Sequence, residues 1–489
     1  MSKEFIGDDV YGYTYDSVGN IVSVSKGSRT TPGSSSTGAG GFSAYRSYEY
    51  DDLGQLTREN NKTTNKTKVW NYDSIGNIES VSTYNYTTGD VGAIKESIDY
   101  QYTGSSGWNK LLTKLIFTEN TYNLDGSLSG SSQTEKSITY DKIGNPTNYM
   151  GDTLTWNGRQ LTTYTKQGLG TVTYTYDSNG LRTTKTAGGV TTEYYYAGDK
   201  LIYEKRSDGT ELYFYYNSYG LLSRIEHNGT NYYTATNMSG DVVAIYRHTG
   251  VLWATYEYDA WGNVISVKDA NGDDITSQTH IANINPIRYR GYYYDTDTEL
   301  YYLQSRYYNA KVGRFLNADG FISTGDGVLS YNMFAYCGNN PVMFSDPSGC
   351  FLQEALDWAS QKWEEFKNWL KGEDSDEENN TLSSSGTRGR GNKNNNKKRK
   401  DSRKGSEKRQ KSGSRERNVA HPNGEEHSRV PKGTYHFAKP DPFVGMAIAT
   451  VSIVYIVSND VTGVGVADDP LLVPFGALFW DSAAQLILT

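Results

Sequence analysis

The sequence predicts a mainly β protein, an antiparallel sheet of repeated hairpins curving into one wall, followed by a small helical C-terminal region. Three observations predict it. A short motif recurs: YDSVGN at 15–20, YDDLGQ at 50–55, YDSIGN at 72–77, YDKIGN at 140–145, YDSNGL at 176–181, YNSYGL at 216–221 and YDAWGN at 258–263. Aromatic and β-branched residues alternate with polar ones before it, as in TVTYTYD at 171–177, which is the period of a half-buried strand. The composition, 42 tyrosines and 51 glycines in 489 residues, suits sheets whose rings pack while their hydroxyls stay wet.

Each motif reads as the turn of a hairpin. The aspartate accepts hydrogen bonds from backbone amides two residues on and starts the turn. The glycine supplies a positive φ without a Cβ clash. The turn residues are Asp16 and Gly19, Asp51 and Gly54, Asp73 and Gly76, Asp141 and Gly144, Asp177 and Gly180, and Asp259 and Gly262. One job done at every repeat argues that these aspartates are structural rather than catalytic. The motif starts lie 35, 22, 68, 36, 40 and 42 residues apart, and the 68-residue gap has room for one worn unit. The chain opens on MSKEFIGDDVYGYTYD, with no apolar targeting segment, and enters a repeat at once. That suggests a piece of a longer array, an open cup whose first strands form an exposed sheet edge.

The two cysteines, Cys337 and Cys350, make neither a disulfide scaffold nor a CxxC metal site. The net charge of −8 hides a basic stretch over 381–418, with 14 Lys and Arg against 3 Asp and Glu and no aromatic residue. It reads as a disordered linker. Nucleic acid is not an expected partner, because phosphate contact without base stacking is all this stretch offers.

The segment 287–350 is the most specific text in the chain. It contains RYRGYYYD at 288–295, LYYLQSRYYNAKVGRFLNAD at 300–319 and NMFAYCGNNPVMFSDPSG at 332–349. With the repeats, it resembles the Rhs and teneurin-like shell proteins with tyrosine–aspartate (YD) repeats, and its end resembles their repeat-associated core. The resemblance implies a β-ribbon wound into a cocoon, here a partial one. It also implies a closing core and a variable C-terminal domain that is a toxin in many bacterial members. Several members cut themselves after a DPxG motif with paired aspartates. The family ending PxxxxDPxGL matches Pro341, Asp346, Pro347 and Gly349, with Cys350 in place of leucine. The upstream GRFxxxDP element matches Gly313, Arg314, Phe315 and Asp319, with Gly320 in place of proline. The resemblance therefore makes Asp319 and Asp346 the candidate self-cleavage pair, with Arg314 a minor candidate for electrostatic help. Read without it, each aspartate only caps a turn. Arg288, Arg290, Arg306 and Arg314 read as structural, paired with carboxylates.

The domains expected are a YD-repeat shell over 1–286, the core and boundary over 287–350, an amphipathic helix over 351–372, the basic linker over 373–418, and a variable domain over 419–489. The last contains His421, His427 and His436, whose spacing matches no metal signature. Two apolar blocks lie within 443–480, short of the roughly 20 residues of a bilayer crossing. They read as a buried hairpin or as a membrane-active one. No cofactor and no metal are expected.

Three functions stay open. The first is a bacterial shell fragment that encloses or presents a C-terminal effector, released by aspartyl self-cleavage close to Cys350–Leu352. Its partners would be its own C-terminal domain, an immunity protein and an upstream shell or delivery component. It would act in a secreted or cell-surface setting, although no signal peptide is visible. The second is a non-catalytic secreted or surface YD-repeat protein, or a remnant of one. The third is membrane action by the terminal hairpin.

Overall fold

In the computed structural model, each strand of the wall hydrogen-bonds to the next in sequence. The structure describes residues 2–28, 41–103, 111–168, 170–320, 329 and 332–350. From Ser2–Ile6 to Val264–Lys268, 23 strands form one antiparallel meander. Local hairpins are what short connections between alternating segments permit.

The aspartate of each YD motif does the work expected of it. At Asp16, Asp51, Asp73, Asp141, Asp177 and Asp259, one carboxylate oxygen accepts the amides two and four residues on, at 2.8–3.0 Å. The second oxygen takes the side-chain amide of Asn20, Gln55, Asn77, Asn145 or Asn263 in five of the six turns. The glycine follows at positive φ, +91° at Gly262 for example, and the strand register shifts at the tyrosine. This is a type I turn closed by a glycine bulge.

The tyrosine has its own task. The Tyr50 hydroxyl donates to the Ile21 carbonyl at 2.8 Å, Tyr72 to Leu56 at 2.6 Å, Tyr176 to Leu161 at 2.8 Å, Tyr216 to Leu201 at 2.8 Å and Tyr258 to Val242 at 2.9 Å, and Tyr102, outside any YD motif, donates to Ile78 at 2.8 Å. Each acceptor is the first or second residue of the strand after the preceding turn. The same rung is made by Tyr196 to Arg182 at 2.9 Å and by the Trp156 indole N–H to Pro146 at 2.7 Å. Neither residue stands in a YD motif. The repeat is therefore one hairpin of about 20 residues, as the positions of Tyr176, Tyr196 and Tyr216 show. Reading by aspartate catches only alternate units in this part of the chain. The 68-residue gap contains a further turn at Asn123–Ser127 and the Tyr102 rung.

The expected exposed first edge is found in the hydrogen bonding alone. Ser2–Ile6 pairs only with Asp9–Tyr15 among the described residues. Side chains of the early strands nevertheless meet late ones. Tyr45 and Arg46 bond Glu257 at 2.9 and 3.1 Å, Lys68 bonds Asp259 at 2.8 Å, and Trp70 lies 6.0 Å from Trp261, ring to ring. Glu4, partly buried, receives the Tyr13 hydroxyl at 2.6 Å and a backbone bond from Met238. Burial lifts its carboxyl to about 7 against those two bonds, and Asp241 adds to the rise. A carboxyl raised on folding stabilises fully below its unfolded value near 4.3 and loses that contribution as pH rises through about 7. Amide protection of Ser2–Ile6, corrected for intrinsic exchange, is expected to fall across that window in wild type and stay flat in Glu4→Gln.

The described residues of 281–350 pack against the wall. They include a four-stranded sheet, Tyr293–Asp295, Leu300–Leu303, Arg306–Asn309 and Arg314–Phe315. Their phenols grip the buried YDAWGN turn. Tyr289, Tyr308 and Tyr301 donate to the carbonyls of Ala260, Trp261 and Gly262 at 2.8, 2.7 and 2.8 Å. A Cβ at Gly262 would lie 2.5 Å from the Tyr289 ring, so glycine serves both the turn and the contact.

The helix expected over 351–372, the linker 373–418 and the domain 419–489, with its histidines and the apolar segment 443–480, lie outside the described residues. Among the described residues no helix is long and apolar enough to cross a membrane.

Candidate self-cleavage site

The strand Arg306–Asn309 begins the site, because Arg306 is its first residue and is almost wholly buried. A guanidinium in such a place must spend its donors on fixed acceptors. Arg306 Nη2 lies 2.9 Å from Asp319 Oδ2 and 3.2 Å from Asp346 Oδ2. Nη1 donates to the Met333 carbonyl at 3.0 Å, and Nε donates to the Gly349 carbonyl. The fold thus places both aspartates, 27 residues apart in sequence, on one guanidinium nitrogen.

Asp346 is fully buried. Its amide donates to the Tyr292 hydroxyl at 2.6 Å, and its Oδ1 accepts the Cys350 amide at 2.9 Å. The aspartate that looked like a turn cap does cap the Asp346-Pro347-Ser348-Gly349 turn. It does so from inside a carboxylate pair. Asp319, its amide bonded to the Met333 carbonyl at 2.9 Å, meets Arg306 at the same nitrogen.

The turn is clamped as well. Ser305 donates to the Ser348 carbonyl from its amide at 3.1 Å and from its hydroxyl at 2.6 Å. Gly349 has φ +77°, and a Cβ there would come 2.6 Å from the Leu303 carbonyl oxygen. Pro341 stands apart from the aspartates; its carbonyl accepts from Arg290 and, at 3.3 Å, from the Tyr289 hydroxyl.

Arg314 does not join the pair. Its Nη1 donates to the Tyr102 hydroxyl at 2.7 Å, and it lies over the rings of Tyr102 and Phe334. The expectation that the four arginines pair with carboxylates also needs correction. Arg306 does so directly, and Arg290 reaches Asp241 at 3.8 Å. Arg288 instead serves the carbonyls of Ala282, Asn283 and Asn285, where a chain bend leaves acceptors turned inward.

A second buried charge cluster was not read from the sequence. Arg182 Nη1 and Lys185 Nζ hold Asp295 at 2.5 and 2.9 Å, with Arg182 and Asp295 fully buried. Arg182 lies against the rings of Tyr174, Tyr194, Tyr293 and Tyr302. The signal was present: Arg182 occupies the fifth position after Asp177, where other repeats place Ile21, Leu56, Ile78 and Val264. Among the described residues no cluster of His, Cys, Asp and Glu has the makings of a metal site.

The family model for the teneurin YD-shell matches residues 43–342, more than half of the chain. The chain belongs to this YD-shell family. The YD shell described here is similar to the tRNA nuclease WapA of Bacillus subtilis strain 168, 33% identical over 306 residues. That alignment covers 61% of this chain and 12% of the nuclease. It is similar over 67 residues to the toxin protein Tse5 of Pseudomonas aeruginosa, at 37% identity, covering 14% of this chain and 5% of the toxin. A solved TcdB2-TccC3 structure aligns over 70% of this chain and 21% of its own length, with TM-score 0.34 and 18% identity. This YD shell therefore spans a small part of the relatives it matches.

Proposed function

We propose that this chain is a shell segment that presents a C-terminal effector and releases it by cutting itself beside Cys350. The observation that carries the reading is the carriage of Asp319 and Asp346 by a single guanidinium nitrogen, with Asp346 bonded to the amide of Cys350. Two carboxylates held together act with one proton between them, one as base and the other as acid. Arg306, donating to the Gly349 carbonyl, would hold the negative charge that develops on a carbonyl oxygen under attack. Related proteins named as a nuclease and as a toxin support an effector role for what lies beyond the boundary. In this reading the partners are the chain's own C-terminal region, an immunity protein and a shell or delivery component, and the setting is secreted or at the cell surface.

The test is the N-terminal sequence of any tail released from the full-length protein. It is expected to begin between Cys350 and Leu352, and Asp346→Asn, which keeps size and most of the turn, is expected to leave the chain whole. A tail that starts elsewhere, or one still released by Asp346→Asn, would sink the reading.

A further inference from the structure

The peptide bond between Gly349 and Cys350 is held at both of its polar atoms. Arg306 Nε donates to the Gly349 carbonyl oxygen, and the Cys350 N–H donates to Asp346 Oδ1 at 2.9 Å. The Ser305 clamp on Ser348 and the crowded, positive-φ Gly349 fix the bond's orientation. The side chain that follows is a thiol, where the family ending carries leucine, and it lies 3.3 Å from Ser305 Oγ. Burial pushes this thiol up; Ser305 and Arg306 oppose the rise, while Asp319 and Asp346 add to it. The thiol is therefore protonated at neutral pH and needs a base, and the guanidinium that holds the Gly349 carbonyl also holds Asp319, at 2.9 Å.

Resting on the self-cutting reading above, we propose that Cys350 is the nucleophile of the cut, attacking the Gly349 carbonyl carbon in an N-to-S acyl shift that breaks the Gly349–Cys350 bond. The pair Asp319 and Asp346 acts with one proton between them. As the S–C bond forms, the thiol proton passes to Asp319 and the carbonyl electrons move onto the oxygen, where Arg306 holds them. As the carbonyl re-forms, the C–N bond breaks. The nitrogen takes the proton of Asp346 and becomes the α-amine of Cys350. One C–N bond has been exchanged for one C–S bond, with no oxidant or reductant. Water then attacks the thioester. Asp346 receives one proton of the water and Asp319 returns its own to the sulfur, which leaves a carboxylic acid on Gly349, ionised by losing its proton to solvent, and a free thiol on the tail. The two carboxylates end as they began. A leucine at position 350 has no group for this first step, so the substitution changes which atom attacks while keeping the same pair.

The experiment uses full-length protein, with intact mass read over time, with and without neutral hydroxylamine. Wild type is expected to give a shell ending at Gly349. Hydroxylamine is expected to speed release and leave a hydroxamate on Gly349, the mark of a thioester. Cys350→Ala is expected to stay whole with an unchanged circular dichroism spectrum, and Cys350→Ser to cut at least about tenfold more slowly, since a hydroxyl is the poorer nucleophile. A cut after Cys350, no hydroxamate, or a Cys350→Ala chain cut at the wild-type rate would overturn the thiol's role and leave the aspartate pair standing. A wild-type chain that never cuts would overturn the thiol's role and the reading beneath it together.

Discussion

Asp295→Asn is expected to cost about 3–5 kcal/mol of stability, because it removes the counter-charge from a buried guanidinium and a buried ammonium. Arg182 and Asp295 are fully buried, and Arg182 and Lys185 both reach the same carboxylate. The pair joins the wall to the four-stranded sheet: Arg182 stands on the strand Arg182–Ala187, and Asp295 on Tyr293–Asp295. Burial by itself would raise the Asp295 carboxyl, but Arg182 and Lys185 outweigh it and hold it below the usual value. A depressed carboxyl stabilises fully above its unfolded value near 3.9, and that contribution is lost as pH falls through the lower folded value. Urea midpoints at neutral pH should therefore differ widely between wild type and Asp295→Asn, and the gap should narrow in strong acid. Adding Arg182→Met to Asp295→Asn should recover part of the loss, since the buried charge is then removed with its partner. Equal midpoints at neutral pH would show that the cluster is not what fastens the four-stranded sheet to the wall.

Arg306→Lys is expected to stop the cut as fully as loss of either aspartate, although it keeps the positive charge. The guanidinium reaches four acceptors in different directions: the Gly349 carbonyl, the Met333 carbonyl, Asp319 and Asp346. A lysine ammonium is a single point on a flexible stem and cannot span them. The carboxylates would lose their common support, and the Gly349 carbonyl would lose its donor. Rates from intact mass, beside a thermal melt showing that the shell still folds, check this. An Arg306→Lys protein that cuts at the wild-type rate would reduce Arg306 to packing.

What the sequence made legible follows from the range of each interaction. The YD turns were readable because aspartate, glycine and the amides they bond lie within five residues of each other. The hairpin period was half-read: Trp156 and Tyr196 make the same rung, but their turns lack the aspartate used as the marker. Arg182 with Asp295 was missed because 113 residues separate them and nothing local specifies the partner. A charged residue at a position that is apolar in other repeats was the available sign, and such broken local rules mark sites where the fold does something particular. At the boundary, family resemblance named Asp319 and Asp346. It put Arg314 beside them, whereas the strand that starts at Arg306 is the one that faces both. That choice depends on strand register, which a motif match does not carry.

If the paired aspartates cut this chain at its boundary, the cut needs both of them. The direct measurement is one intact-mass time course on full-length wild type, Asp319→Asn and Asp346→Asn. Wild type is expected to give two pieces, meeting at the Cys350 boundary, and each variant a single uncut chain. An uncut wild type, or the same two pieces from all three proteins, would contradict that expectation.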